Sequence, residues 1–209
     1  MYESSQFRAG SRAPAVGKVD GPLNPYAAKP SRRPVGYTTI RASVGRPRPL
    51  RVWLHPEHGA ALLRLPYELC WATTWMAEAN RWIAPVIGLP ELPYVDFGAV
   101  LFAHRPDGVH WKTETIVAHA AGRPFAWVDD EQSPADSEYV TVHHPGPALL
   151  HHVDPRVGLR AEDFTALAAF AAGLPAGDEA LRLRAAPEPP SASPENGRGE
   201  EERRVPGGA

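Results

Sequence analysis

Along the middle of the chain, short apolar runs alternate with stretches whose apolar positions recur at helical spacing. Residues 67–73, 125–128 and 148–153 are apolar runs with the length of buried strands, and 92–97 is a possible short strand. Residues 56–65, 75–87, 111–121, 135–142 and 161–173 read as helices. Pro56 suits a first helical turn, where a missing N–H costs nothing. Trp75, Ala79, Trp82, Ile83 and Val86 share one helical face, and Pro85 should bend or end that helix. Ser133 and Pro134 supply an N-cap and a first-turn proline. Phe164, Leu167, Ala168 and Ala171 line one face of the last helix, and Gly173 stops it. Strands separated by helices of this length imply an α/β domain, a three-layer α/β/α sandwich around a mainly parallel, Rossmann-like sheet. In such sheets ligands bind beyond the carboxyl ends of the strands. That rule directs attention to Asp20, to Thr73–Thr74, and to Asp129–Asp130–Glu131.

The flanks lack this pattern. Residues 1–17 hold little apolar surface, and 175–209 are rich in Pro, Gly, Glu and Arg. Neither composition buries enough to offset chain entropy, so both are expected to be disordered, with a short helical stretch over 178–184. The ordered domain is then 18–174. Across 209 residues the net charge is −2, which gives no global footprint for nucleic acid or an anionic membrane. No apolar run approaches the roughly 18 residues of a membrane span, and no secretory signal opens the chain, so a cytoplasmic protein is expected. The single cysteine, Cys70, excludes an intrachain disulfide and reads as a small core residue.

Four segments place polar groups at the ends of apolar runs or at a helix start: Val19–Asp20–Gly21–Pro22–Leu23–Asn24–Pro25, Trp71–Ala72–Thr73–Thr74–Trp75, His110–Trp111–Lys112–Thr113 and Trp127–Val128–Asp129–Asp130–Glu131. Carboxylates from two strand ends suit a hard cation such as magnesium, and a lysine with a hydroxyl suits a phosphate. Alone, each segment has a plainer explanation: a turn, a strand residue, a solvated helix start, an N-cap. Their order and spacing raise the functional reading above these.

In that order the segments resemble the haloacid-dehalogenase-like (HAD-like) superfamily, whose pattern is Asp-x-Asp-Gly, then Thr or Ser, then Lys before a helix, then an acidic pair. The resemblance runs from Val19 to about Leu174 and looks like a compact, uncapped, actinobacterial-type branch. It implies a magnesium-dependent phosphatase. Asp20 would protonate the leaving group and then activate water, Thr73 would bind phosphoryl oxygens, and Lys112 would offset charge. Asp129 and Asp130, with Asp20, would hold Mg2+. The implied partner is a phosphorylated substrate, small molecule or macromolecule, with nucleic-acid ends a weaker third class.

The chain departs from the pattern at the nucleophile. Lys18 stands where the family has its first aspartate, and an ammonium cannot form an acyl-phosphate. Just upstream, Pro14 and Gly17 argue against a buried central strand, so the first strand is expected to be poorly formed or missing. A pseudoenzyme accounts for both departures. So does a replaced N-terminal segment, which the abrupt start of the match at Val19 favours slightly. A non-catalytic phospho-ligand or protein-binding module on the same fold is the alternative function. The insert over 25–66 has room for a flap and one helix rather than a folded cap. Its Arg32 and Arg33, with Arg41, Arg46, Arg48 and Arg51, are candidate phosphate contacts, although charged loops are usually only solvated. His143, His144, His151 and His152 are expected to be surface or loop residues, which ranks a zinc protein low.

Overall fold

The computed structural model describes residues 13–17, 20–45 and 47–174. All belong to one unit, Met1–Ala176, and a second, Gly177–Ala209, lies outside the described residues. The expectations for residues 1–12, Lys18, Arg46 and the tail from 175 also lie outside them. In chain order the elements are β1 (Ala13–Gly17), β2 (Thr38–Ala42), β3 (Leu50–Leu54), α1 (His58–Leu63), β4 (Tyr67–Trp71), α2 (Glu78–Trp82), α3 (Ala84–Ile87), a 3-10 turn (Gly98–Val100), α4 (Thr113–Ala120), β5 (Phe125–Asp129), α5 (Pro134–His143), β6 (Ala148–His152) and α6 (Ala161–Ala172).

Mixed α/β architecture results. Four strands form a parallel sheet in the order β4-β1-β5-β6, and β2 and β3 form a separate antiparallel pair. The first strand, expected to be poorly formed or missing, is present at the sheet's centre. It pairs with β4 from Ala13↔Tyr67 to Gly17↔Trp71 and with β5 from Ala15↔Ala126 to Gly17↔Val128. Pro14 falls near its start, outside the stretch paired to β5, where a missing donor disturbs the ladder least. Neighbours on both sides impose the extended backbone that its own composition does not favour.

Two other expectations change in detail. The stretch 75–87 divides into α2 and α3, with Pro85 in the first turn of α3 and Gly88 ending it at φ 74°. The candidate strand over 92–97 contributes only a bridge, Tyr94 beside Trp71, which extends the sheet edge at β4. The insert after Asp20 carries the β2–β3 hairpin as well as the expected helix.

Both faces of the sheet are covered. Along β5, Ala126 and Val128 join one core with Trp71, Ile83, Ile87, Leu54 and Leu167. Phe125 and Trp127 join the other, with Ile116, Ala120 and Val140. Residues alternating along a strand face opposite ways, so all five positions of β5 are buried. Full burial on both faces is what makes 125–129 read as one apolar run ending in an acid.

Candidate functional site

Because the four strands are parallel, their carboxyl ends lie along one edge of the sheet. β1 leads to Asp20, β4 leads to Thr73, and β5 ends on Asp129. The loop after β1 is folded tightly. The Gly21 N–H donates to the Asn24 carbonyl at 2.9 Å, and Leu23, only 2% exposed, anchors the loop in the core. Asn24 holds two partners: its Nδ2 donates to Asp20 Oδ1 at 2.8 Å, and its Oδ1 accepts the Trp53 N–H at 3.0 Å. The other Asp20 oxygen accepts the Trp75 indole N–H at 2.7 Å. Two donors on two elements therefore orient this carboxylate.

Thr73 sits two residues past the end of β4 and is buried. Its Oγ1 accepts the Trp75 N–H at 3.3 Å, which leaves the hydroxyl proton to donate elsewhere. The Met76 N–H closes the turn onto the Thr73 carbonyl at 3.1 Å, with Met76 held at φ 45°. The same turn thus carries the Thr73 hydroxyl and the indole that grips Asp20.

Lys112 precedes the first turn of α4 and is fully buried with Asp129. Its Nζ donates to Asp129 Oδ2 at 2.7 Å, and both side chains are 0% exposed. Asp129 Oδ2 also accepts the Trp127 indole N–H at 3.2 Å. Its Oδ1 accepts the Asp130 N–H at 2.8 Å and the Glu131 N–H at 3.1 Å. Four donors among the described residues thus orient this carboxylate.

Asp130 packs against the loop after β1. The Tyr26 hydroxyl donates to Asp130 Oδ2 at 3.1 Å. Gly21, at φ 91°, lies so close that a β-carbon there would stand 2.3 Å from the Asp130 carboxyl. Ligand atoms of Asp129, Asp130 and Glu131 all lie within 4.8 Å of one another, which gives the site three hard oxygen donors. His110 Nε2 lies 3.5 Å from Glu131 Oε2.

The four segments singled out in the sequence are therefore joined by direct contacts. Asn24, Tyr26 and Trp75, which hold them, are not among the candidate site residues that the sequence offers. The flap arginines are placed differently. Arg32 and Arg33 are exposed on the loop before β2, where the Arg32 N–H donates to the Lys29 carbonyl at 2.9 Å. Arg41 and Arg51 stand opposite each other in the hairpin, Arg51 stacked over Trp53.

The histidine expectation needs correcting at His151, which lies in β6 rather than in a loop, while His144 lies in the loop after α5. His144 is buried, with Nε2 3.1 Å from the Arg123 carbonyl, and His151 is half-buried against Asp163 at 2.9 Å. Among the described residues no histidine belongs to a three-ligand cluster. Cys70 is buried as expected, and burial pushes its thiol up to about 12. No helix of the described residues is long and apolar enough to cross a membrane.

Comparison with known proteins gives no match: no family model, no curated protein and no solved structure matches the chain. The site must be read from its own chemistry.

Proposed function

We propose that this is the site of a HAD-like, magnesium-dependent phosphohydrolase of the phosphatase type, impaired in this chain by Lys18 at the nucleophile position. One observation carries the reading: residues far apart in sequence, in the order of that family's motifs, are in contact at one sheet edge. Asp20 is bonded to the turn that holds Thr73. Gly21 lies against Asp130, and Lys112 is paired with Asp129. The two cores flanking β5 support the three-layer sandwich and Rossmann-like sheet that the family implies.

Each residue has a chemical task in that reading. Asp20, fixed by Asn24 and Trp75, passes a proton to the leaving oxygen and later takes one from water. The Thr73 hydroxyl donates to a phosphoryl oxygen. Lys112 offsets the charge gathered there. Bound magnesium would neutralise phosphoryl oxygens, and the acidic turn offers it Asp129, Asp130 and Glu131, while Asp20, the other expected ligand, lies outside that cluster. The substrate is a phosphorylated small molecule or macromolecule, since a hairpin and a short helix are the elements among the insert's described residues.

The second reading is a non-catalytic module that binds a phosphorylated ligand or a protein. Lys18 favours it, because an ammonium cannot take up a phosphoryl group as an aspartate does. Hydrolysis of p-nitrophenyl phosphate with magnesium, by this chain and by Lys18→Asp, separates the two. Turnover only in the variant supports the impaired enzyme. Turnover in neither, with both folded, supports the binding module.

A further inference from the structure

We propose that Asp136 is a positioning residue for Lys112. Asp136 is 0% exposed in the first turn of α5, and its described partners are all neutral. Its Oδ2 accepts the Ser133 N–H and the Ser133 hydroxyl, both at 2.8 Å, an arrangement that caps α5. Capping uses only that one oxygen. Oδ1 turns to a different element: it accepts the His110 N–H at 2.7 Å and the Thr113 hydroxyl at 2.5 Å.

Those two residues bracket Lys112. The Lys112 N–H in turn donates to His110 Nδ1 at 3.2 Å, which closes the bracket on itself. α5 follows directly from β5, whose last residue, Asp129, takes the Lys112 ammonium. One buried carboxylate therefore ties the backbone on both sides of Lys112 to the segment that carries Asp129. A side chain with four rotatable bonds holds one place only if its root is fixed, and Asp136 fixes it.

The matching cap on α6 shows what a purely structural aspartate does here. Asp163 Oδ2 accepts the Arg160 N–H at 2.7 Å, and its Oδ1 meets His151 Nε2 at 2.9 Å. None of these partners flanks Lys112. Asp163→Asn thus reports the loss of a cap and of the His151 contact, both away from Lys112.

The role of Asp136 in phosphate binding rests on the reading of Lys112 given above. Its test follows the Lys112 ammonium resonance in 15N-lysine-labelled protein, alongside thermal midpoint and orthophosphate affinity by calorimetry. Asp136→Asn and Thr113→Val should shift or broaden that resonance and weaken orthophosphate by about tenfold, the lower end of what ligand-orienting partners are worth. Thr113→Val leaves the Ser133 cap intact and serves if the Asp136 variant fails to fold. Asp163→Asn should lower the midpoint but leave the Lys112 resonance in place. An unchanged resonance in both Asp136→Asn and Thr113→Val, or the same change in Asp163→Asn, overturns the proposal. If the unmodified chain binds no orthophosphate, the phosphate reading falls, and the resonance alone still decides whether Asp136 positions Lys112.

Discussion

Gly21 and Asp130 are interlocked: the carboxyl group occupies the space that a β-carbon on residue 21 would need. The loop after β1 and the acidic turn after β5 therefore fit together only because residue 21 has no side chain.

Gly21→Ala must strain a backbone at φ 91° and push Asp130 aside. We expect a loss of about 2–4 kcal/mol, from left-handed strain and steric displacement together. Urea unfolding measures it. A loss below about 1 kcal/mol would show that the two segments move apart freely.

Lys112 and Asp129 form an ion pair with no solvent access. Lys112→Met removes the ammonium that faces this buried carboxylate, at an expected cost of about 3–5 kcal/mol. The double variant Lys112→Met/Asp129→Asn should recover part of that loss, because the buried negative charge goes too. Equal stability of the single and double variants would contradict a charge-based origin.

The strongly patterned parts of this fold could be read from the sequence, because the local signal and the tertiary environment agree. β5 is apolar at successive positions because both sheet faces are packed, and α5 announces itself through Ser133 and Pro134. β1 could not be read this way. Pro14 and Gly17 signal a break, and the strand exists because β4 and β5 pair with it from either side. The hairpin was hidden by the proline- and arginine-rich loop between its strands. Asp20, Thr73, Lys112 and Asp129, the candidates that motif order picks out, lie in segments that the structure joins by direct contacts. Motif order does not pick out their supports, because each resembles something ordinary: Trp75 a core residue, Asn24 a turn residue, Asp136 a cap. Tyr26 reaches Asp130 across 104 positions, a separation that no local pattern records.

His58 is held neutral. Burial, and then His55 stacked at 4.8 Å, push it down to about 4 from 6.5. The unfolded chain therefore takes up this proton first as pH falls. The stabilisation is complete above pH 6.5 and is lost between 6.5 and 4, up to about 3 kcal/mol. Urea midpoints across that range should fall more steeply for the native chain than for His58→Phe. Parallel slopes would assign the acid sensitivity to other groups.

Cys70 is 5% exposed, and its thiol is pushed up to about 12. Reaction with a disulfide reagent at neutral pH should be slow in the folded chain and at least about a hundredfold faster in denaturant, since only the exposed thiolate attacks. Rapid native labelling would mean that β4 opens readily.

The proposed function stands or falls on magnesium-dependent hydrolysis of p-nitrophenyl phosphate by Lys18→Asp, measured beside Lys18→Asp/Asp20→Asn. We expect turnover in the single variant, its loss on removing magnesium, and a drop of about 100-fold or more in the double variant, where the acid–base group is gone. A folded Lys18→Asp protein with no turnover, or one whose turnover ignores Asp20, would contradict a phosphohydrolase site at this sheet edge.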